Sequence, residues 1–261
     1  MYLYRMEMRL TDKKYFEAYQ QQFAGALERW FSAYEYSTIA LDLSYRNNTS
    51  AVYSSNIEGN SIDVNSFMNS IISKTKFKPN KDFSEINDLV KAYEFAQQNE
   101  LTEKNILKAH KILSHTLLIK DKRGKYRTDR MGVFDSAGLV YLAIEDHLLE
   151  EKMKILFSDI EILKRDQLNL AEAFYHASLL HLIFVHLHPF WDGNGRTARL
   201  LEKWFLATVI GAKAWKIQSE KYYKEQLSDY YRNINLGVNY YELDYDKCLP
   251  FLFMLPYSLQ E

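Results

Sequence analysis

The segment "NLAEAFYHASLLHLIFVHL", residues 169–187, is apolar on nearly every side. A helix without a polar face must be covered all round by other elements. The chain therefore has to supply neighbours for it, and most of the remaining sequence has helical texture. Only 4 prolines and 9 glycines occur in 261 residues, too few for the many turns of an all-β chain. At 47% hydrophobic residues, a sizeable core is expected. Amphipathic periodicity predicts a first helix over 11–36, with Thr11 as N-cap, and a polar break at 44–50. A short helix follows from 51, stopped by Gly59 and Asn60, then one opened by Asp63, a loop at 77–84, and helices over 84–98 and 101–118. Thr102 and Glu103 suit the start of the last of these. Further helices are expected over 145–164, 169–187, 196–211 and through 219–237 and 244–259. Glycines 124, 132 and 138 and β-prone residues around "DSAG" predict one β-hairpin, about 131–143. The expected architecture is mainly α, a helical bundle with a small hairpin, forming a single domain over 1–261.

A formal net charge of −1 gives no overall basic field, so no nucleic-acid partner is expected. The lone Cys248 fits a reducing compartment. The first residues hold no apolar run suited to a signal peptide, and "ASLLHLIFVHLHPF" reads as too short and too histidine-rich to span a bilayer. A soluble, cytoplasmic protein without membrane contact is the expectation.

Chemistry concentrates in "HPFWDGNGRTAR", residues 188–199. Pro189 disfavours helical geometry at His188, which should end the apolar helix near Leu187. The imidazole titrates near neutral pH and suits a general base. Of Phe190 and Trp191, one should be a buried anchor. Asp192 is a hard oxygen ligand of the kind Mg²⁺ uses alongside substrate phosphates. Gly193 and Gly195 permit positive φ, and with Asn194 between them can turn successive N–H groups toward one anion. The next helix starts there, adding its N-terminal dipole. Arg196 and Arg199 lie three apart on one helical face and suit phosphate. No "GxxxxGK[ST]" loop occurs, and the preceding element reads as helix rather than as a Rossmann strand.

This segment matches the Fic signature HPFx[DE]GNGRxxR at each specified position, and the chain resembles the Fic family. "GKYRTDRMGVF" with "GLVYLAI" resembles the family's flap hairpin. The likeness runs over roughly residues 50 to 255, its core about 85–255. It implies a Fic fold that transfers AMP from ATP to a Ser, Thr or Tyr hydroxyl of a protein. On that resemblance, His188 takes the hydroxyl proton, Asp192 holds Mg²⁺, and Gly193, Asn194 and Gly195 stabilise charge at the α-phosphate. Arg196 and Arg199 bind the β- and γ-phosphates, and Val133 and Phe134 align the target strand. A kinase variant of the fold departs from the signature in the anion loop; Gly193 and Gly195 are kept here, which favours AMP transfer.

"S-x-x-x-E-G", Ser54 to Gly59, alone reads as a short helix with its stop. Beside the signature it resembles the family's N-terminal inhibitory helix, which implies that Glu58 occupies Arg199 and that Ser54, one turn earlier, seats the helix. Two rival readings stay open: Glu58 orients a water that removes AMP from a modified protein, or the chain senses nucleotide without turnover. A homodimer accords with the resemblance. The tyrosines at 222, 223, 230, 231, 240 and 241 offer self-modification sites, or helix edges with wet hydroxyls. Zinc at His176, His181, His186 and His188 is not expected, since the spacings of five, five and two differ from the i, i+4 pair of metallohydrolases. "KDKRGKYR" reads as a solvated basic loop.

Overall fold

The computed structural model describes residues 8–38, 42–73, 80–135 and 138–260. Helices α1 (Phe16–Phe23) and α2 (Ala26–Thr38) replace the continuous first helix expected from periodicity. The break lies at Ala24 and Gly25, both at positive φ, and the first helix starts at Phe16 rather than after Thr11. Helix α3 (Leu43–Ile57) runs straight through the polar stretch 44–50. That stretch is not a break because its polar side chains at 47–50 are buried and find partners. Asn47 exchanges amide hydrogen bonds with Gln97, Thr49 Oγ1 donates to Gln218 at 2.6 Å, and Ser50 Oγ donates to Glu220 at 3.0 Å. Buried polar groups are tolerated when each finds such a partner. The helix ends where expected, with Gly59 at φ 92.

Asp63 caps α4 (Val64–Ile72) by accepting from Ser66 N. Residues 74–79, most of the expected 77–84 loop's first half, lie outside the described residues. Asn80 then caps α5 (Lys81–Gln97), which starts three residues before the expected Ser84. Thr102 caps α6 (Glu103–Leu113), which stops well short of Leu118. Strands β1 (Gly132–Asp135) and β2 (Gly138–Leu142) pair antiparallel, with a bulge between Val133 and Phe134. Helix α7 (Asp146–Arg165) follows.

Helices α8 (Leu170–Leu187) and α9 (Asn194–Ile210) form the centre. Asn169 and Glu172 make a reciprocal capping box at the start of α8. By length and composition α8 is apolar enough to cross a bilayer, yet 83% of it is buried inside the bundle, as a core helix is. Helices α10 (Ser219–Glu225), α11 (Leu227–Ile234), α12 (Leu249–Leu252) and α13 (Met254–Tyr257) close the bundle against α8 and α3. The result is mainly α with one small hairpin.

Candidate active site

His188 ends α8 in a left-handed conformation, φ 49 and ψ 57. Pro189 makes a right-handed helical conformation costly there, so the sequence ends the helix at Leu187 as expected. The buried Arg127 holds this turn. Its backbone N–H donates to Pro189 O at 2.9 Å, its Nε to His188 O at 2.8 Å, and its Nη2 to Ile144 O at 2.5 Å. Burial holds the Arg127 guanidinium below its ordinary pKa. It is thus no part of a solvated basic loop: it ties the end of α8 to the base of the hairpin. Tyr141 adds a second tie, its hydroxyl donating to His186 O at 2.7 Å.

His188 Nδ1 lies 3.2 Å from Val185 O. A carbonyl only accepts, so Nδ1 carries the proton and Nε2 keeps the lone pair. Burial, assisted by the Arg127 charge, lowers the imidazole pKa to about 4. At neutral pH the ring is therefore uncharged and able to take a proton.

The loop after His188 is built from local bonds. Asn194 Oδ1 accepts from Phe190 N at 2.9 Å, and its Nδ2 donates to Phe190 O at 2.8 Å. Phe190 is the buried anchor, stacked on His110 with centroids 3.5 Å apart. His110 accepts from Gly124 N through Nδ1, and its Nε2 donates to Asp192 O. Burial pushes His110 down to about 4, which keeps it neutral in this role. Trp191 is half-buried, its Nε1 donating to Asp129 and its face covered by Lys122.

Gly193 caps α9 at φ 79 and no side chain caps that terminus. The first amides of the helix lack intrahelical acceptors, a geometry that can receive an anion, although Gly193 N already donates to Asp192 Oδ1. Gly195 has a different reason to be glycine than the expected positive φ: it is helical, and a Cβ there would collide with Glu58 Oε1 and sit 3.2 Å from Arg199 Nη1. Asp192 is half-exposed at 47%; its Oδ1 accepts from Gly193 N at 2.6 Å and from Arg196 Nη2 at 3.1 Å. Arg196 also lies 3.6 Å from Glu85, and its buried Nε has no hydrogen-bond partner among the described residues.

Arg199 is fully buried and heavily engaged. Its Nε donates to Ser54 Oγ at 2.8 Å, Nη1 to Tyr230 Oη at 3.0 Å, and Nη2 to Ser54 O at 3.0 Å and Glu58 Oε1 at 2.6 Å. Burial alone would raise Glu58, but the charges of Arg199 and Arg196 pull it below the usual carboxylate range. Burial likewise opposes charge on Arg199, and Tyr230 with Glu58 overcomes it, so the guanidinium stays charged. Ser54, Glu58 and Arg199 are thus brought together from segments more than 140 residues apart. One turn away, Lys203 Nζ donates to Ser50 Oγ and Glu220 Oε2, both at 2.7 Å, and Tyr93 Oη donates to Glu220 Oε1 at 2.5 Å. Positions 50 and 54 of α3 therefore meet 203 and 199 of α9, a polar seam with a four-residue repeat along each helix.

Gly59 stands at the exit of α3 at positive φ, with open space where a Cβ would sit. Val133 packs against the core while Phe134 is 70% exposed on the hairpin, so the two flap residues point differently. Among the described histidines, His176 pairs with Leu10 O, His181 with Glu202 and Tyr230, and His186 with Tyr245 and Ile234 O. No group of three metal-binding side chains occurs among the described residues. Tyr223 and Tyr230 are buried with bonded hydroxyls, not wet edges.

Residues 100–206 match the family model described as Fic/DOC family. They form a Fic domain. A protein from Nematostella vectensis named protein adenylyltransferase Fic is 34% identical over 161 residues, 58% of this chain and 35% of that protein. One of the same name from Drosophila grimshawi is 36% identical over 107 residues, 40% of this chain and 20% of its own length. The chain thus spans about a third or less of these curated relatives. A solved Fic family protein from Desulfovibrio desulfuricans superposes with a TM-score of 0.75 at 20% identity, covering 97% of this chain and 74% of the other. That similarity shows the Fic fold. The Fic domain covers α6 to most of α9, including the hairpin and the whole segment 188–199, whereas α3 and its Glu58 lie outside the matched residues.

Sequence reasoning missed Arg127, His110, Lys203 and Tyr230. His110 was the most accessible of these, because it falls on the buried stripe Ile106, His110, Leu113 of α6. Tyr230 and Lys203 act through residues far away in the chain, and no local spacing announces such partners.

Proposed function

We propose that this protein transfers AMP from ATP to a hydroxyl of a protein and that α3 restrains the reaction. The observation that carries this reading is the shared use of Arg199. It sits on the first turns of the helix whose N-terminus forms the anion cradle, beside a neutral histidine, and is already taken by Glu58.

In this reading the Nε2 lone pair of His188 accepts the proton of a Ser, Thr or Tyr hydroxyl as its oxygen attacks the α-phosphorus, and pyrophosphate leaves. The amides of Asn194 and Gly195 stabilise charge on the α-phosphate. Arg196 and Arg199 hold the outer phosphates. Asp192 fits Mg²⁺, since it offers a half-exposed hard carboxylate beside the helix N-terminus. When bound, that ion neutralises phosphate charge. Val133 and Phe134 are assigned to target alignment, with the exposed Phe134 facing the partner. While Glu58 and Ser54 hold Arg199, the γ-phosphate lacks its clamp, and a misplacement of about 1 Å is enough to cost ~100-fold in rate.

The test is a lysate treated with ATP and Glu58→Gly protein, then searched by mass spectrometry for AMP on Ser, Thr or Tyr. Modified peptides that vanish in the Glu58→Gly, His188→Ala double variant are expected, on other proteins or on the chain itself. Absence of any AMP adduct with the Glu58→Gly protein would remove the reading. A second reading rests on Glu58 remaining ionised while its side chain is 31% exposed at the site, as a water-orienting carboxylate would be. Supplying AMP-modified protein and measuring released AMP separates the two directions.

A further inference from the structure

The face of α3 beside the seam that meets α9 forms the floor of a cavity of about 450 Å³. Arg46, Thr49 and Tyr53 present that face at helical spacing. Tyr34 of α2, Asn65 of α4 and Lys221 of α10 supply the walls. We propose that this cavity binds a phosphorylated nucleoside and that its occupant holds α3 in the seated position.

The volume lies within the range of small-molecule sites. Among the described residues its lining carries two cations, three tyrosines, two amides and two hydroxyls, with no carboxylate. Lys221 has Glu225 at 3.5 Å, one turn along the same face of its helix and not among the lining residues. Arg46 has no carboxylate within salt-bridge distance among the described residues, and its Nε is buried without a hydrogen-bond partner there. A charged guanidinium with an unmet buried donor is best matched by an anionic oxygen. Tyrosine faces suit a planar ring, and the exposed side-chain amide of Asn65 gives donors and an acceptor for its edge. An anion carrying a planar heterocycle answers both halves of the lining, whereas a bare oxyanion leaves the tyrosines unused.

The cavity also adjoins the seam. Thr49 Oγ1 donates to Gln218 Oε1 at 2.6 Å, and Gln218 Nε2 donates to Ser50 Oγ at 3.0 Å. Ser50 contacts Lys203, one turn from the Ser54–Arg199 contact. A ligand that touches Arg46 on α3 and Lys221 on α10 at once binds only when α3 is seated. It must then shift the equilibrium toward that form. At 100 times its Kd such a ligand favours the seated form by up to ~100-fold, so basal transfer should fall at least about tenfold. This coupling rests on the reading of α3 as a restraint; the binding itself does not.

The four nucleoside monophosphates and inorganic phosphate would be titrated calorimetrically into the wild type and into Arg46→Ala, Lys221→Ala and Arg196→Ala, each checked for an unchanged melting transition. One monophosphate is expected to bind 1:1 to the wild type and to Arg196→Ala, at least tenfold more weakly to Arg46→Ala and Lys221→Ala, and more tightly than phosphate. Binding lost in Arg196→Ala and kept in Arg46→Ala would assign the ligand to the transfer site and overturn the proposal. So would no binding at millimolar ligand, or phosphate binding equally well. If Arg46→Ala unfolds, Lys221→Ala carries the comparison. The bound monophosphate should lower AMP transfer by the wild type and leave Glu58→Gly unaffected. Binding without that effect, while Glu58→Gly remains the faster protein, overturns the coupling. Glu58→Gly no faster than wild type would instead remove the restraint reading and leave the binding result standing.

Discussion

The loop 188–194 and helix α3 both converge on the first turns of α9, yet they are held in opposite ways. The loop is fixed by short-range bonds and by backbone acceptors: Asn194 to both polar groups of Phe190, Asp192 to Gly193 N, Arg127 to His188 O. Helix α3 is held on its α9 side through side chains of distant residues, Ser50 to Lys203, Ser54 and Glu58 to Arg199. Removing one side chain weakens that seam without altering the loop. In the proposed function, a site built by the loop and a restraint carried by α3 meet at one arginine, so that one carboxylate would regulate geometry it does not build.

The comparison breaks most visibly at His188. In the Glu58→Gly background, His188→Ala should reduce AMP transfer ~10²–10⁴-fold, as loss of a general base does, with an unchanged melting temperature. A loss of only a few-fold would mean that the loop holds no base. On the other side of α9, Lys203→Met leaves Glu220 buried and unpaired, and should cost about 3–5 kcal/mol of stability, read as a lowered melting temperature. A melting temperature equal to wild type would show that the Lys203–Glu220 contact does not anchor α3. Ser54→Ala removes one hydrogen bond to the charged Arg199, worth roughly 1.5–3 kcal/mol, while Glu58 stays. Basal transfer should rise, by less than in Glu58→Gly because Glu58 keeps its hold on Arg199, and no rise would restrict the restraint to Glu58 alone.

The smallest expected effect concerns pH. His188 is lowered to about 4, and a protonated imidazole cannot accept a proton. For Glu58→Gly, kcat/KM should stay flat from pH 7 to about 5.5 and fall only as pH drops through about 4, not near the ordinary ~6.5. Glu58 is itself depressed. Its pairing is fully present above the ordinary carboxylate range and is lost as pH falls through its lowered folded value. The ratio of Glu58→Gly to wild-type rates should thus be constant from about pH 5.5 to 8. An acid limb near 6.5 would place His188 in solvent, contrary to its burial.

Much of the site was readable because it is local. "HPFWDGNGRTAR" carries its own geometry: the proline ends α8, Gly193 takes the left-handed turn, and Asn194 closes the loop on Phe190. The cap residues Asp63 and Thr102 marked their helices for the same reason. Polarity misled where partners are remote. The run 44–50 reads as a break until Gln97, Gln218, Glu220 and Lys203 are brought to it. Arg127 looked like one more charge in a basic loop, since nothing nearby shows that three backbone carbonyls at the end of α8 and in the hairpin await it. Gly195 was legible as a glycine but not for its cause, the approach of Glu58 from another part of the chain.

The central claim is that Arg199, while bound by Glu58, is withheld from the nucleotide. Initial rates of label incorporation from α-labelled ATP, measured side by side for purified wild type and Glu58→Gly, test it most directly. The account predicts a gain on the order of 100-fold for the variant. Equal rates for the two proteins, both active, would contradict it.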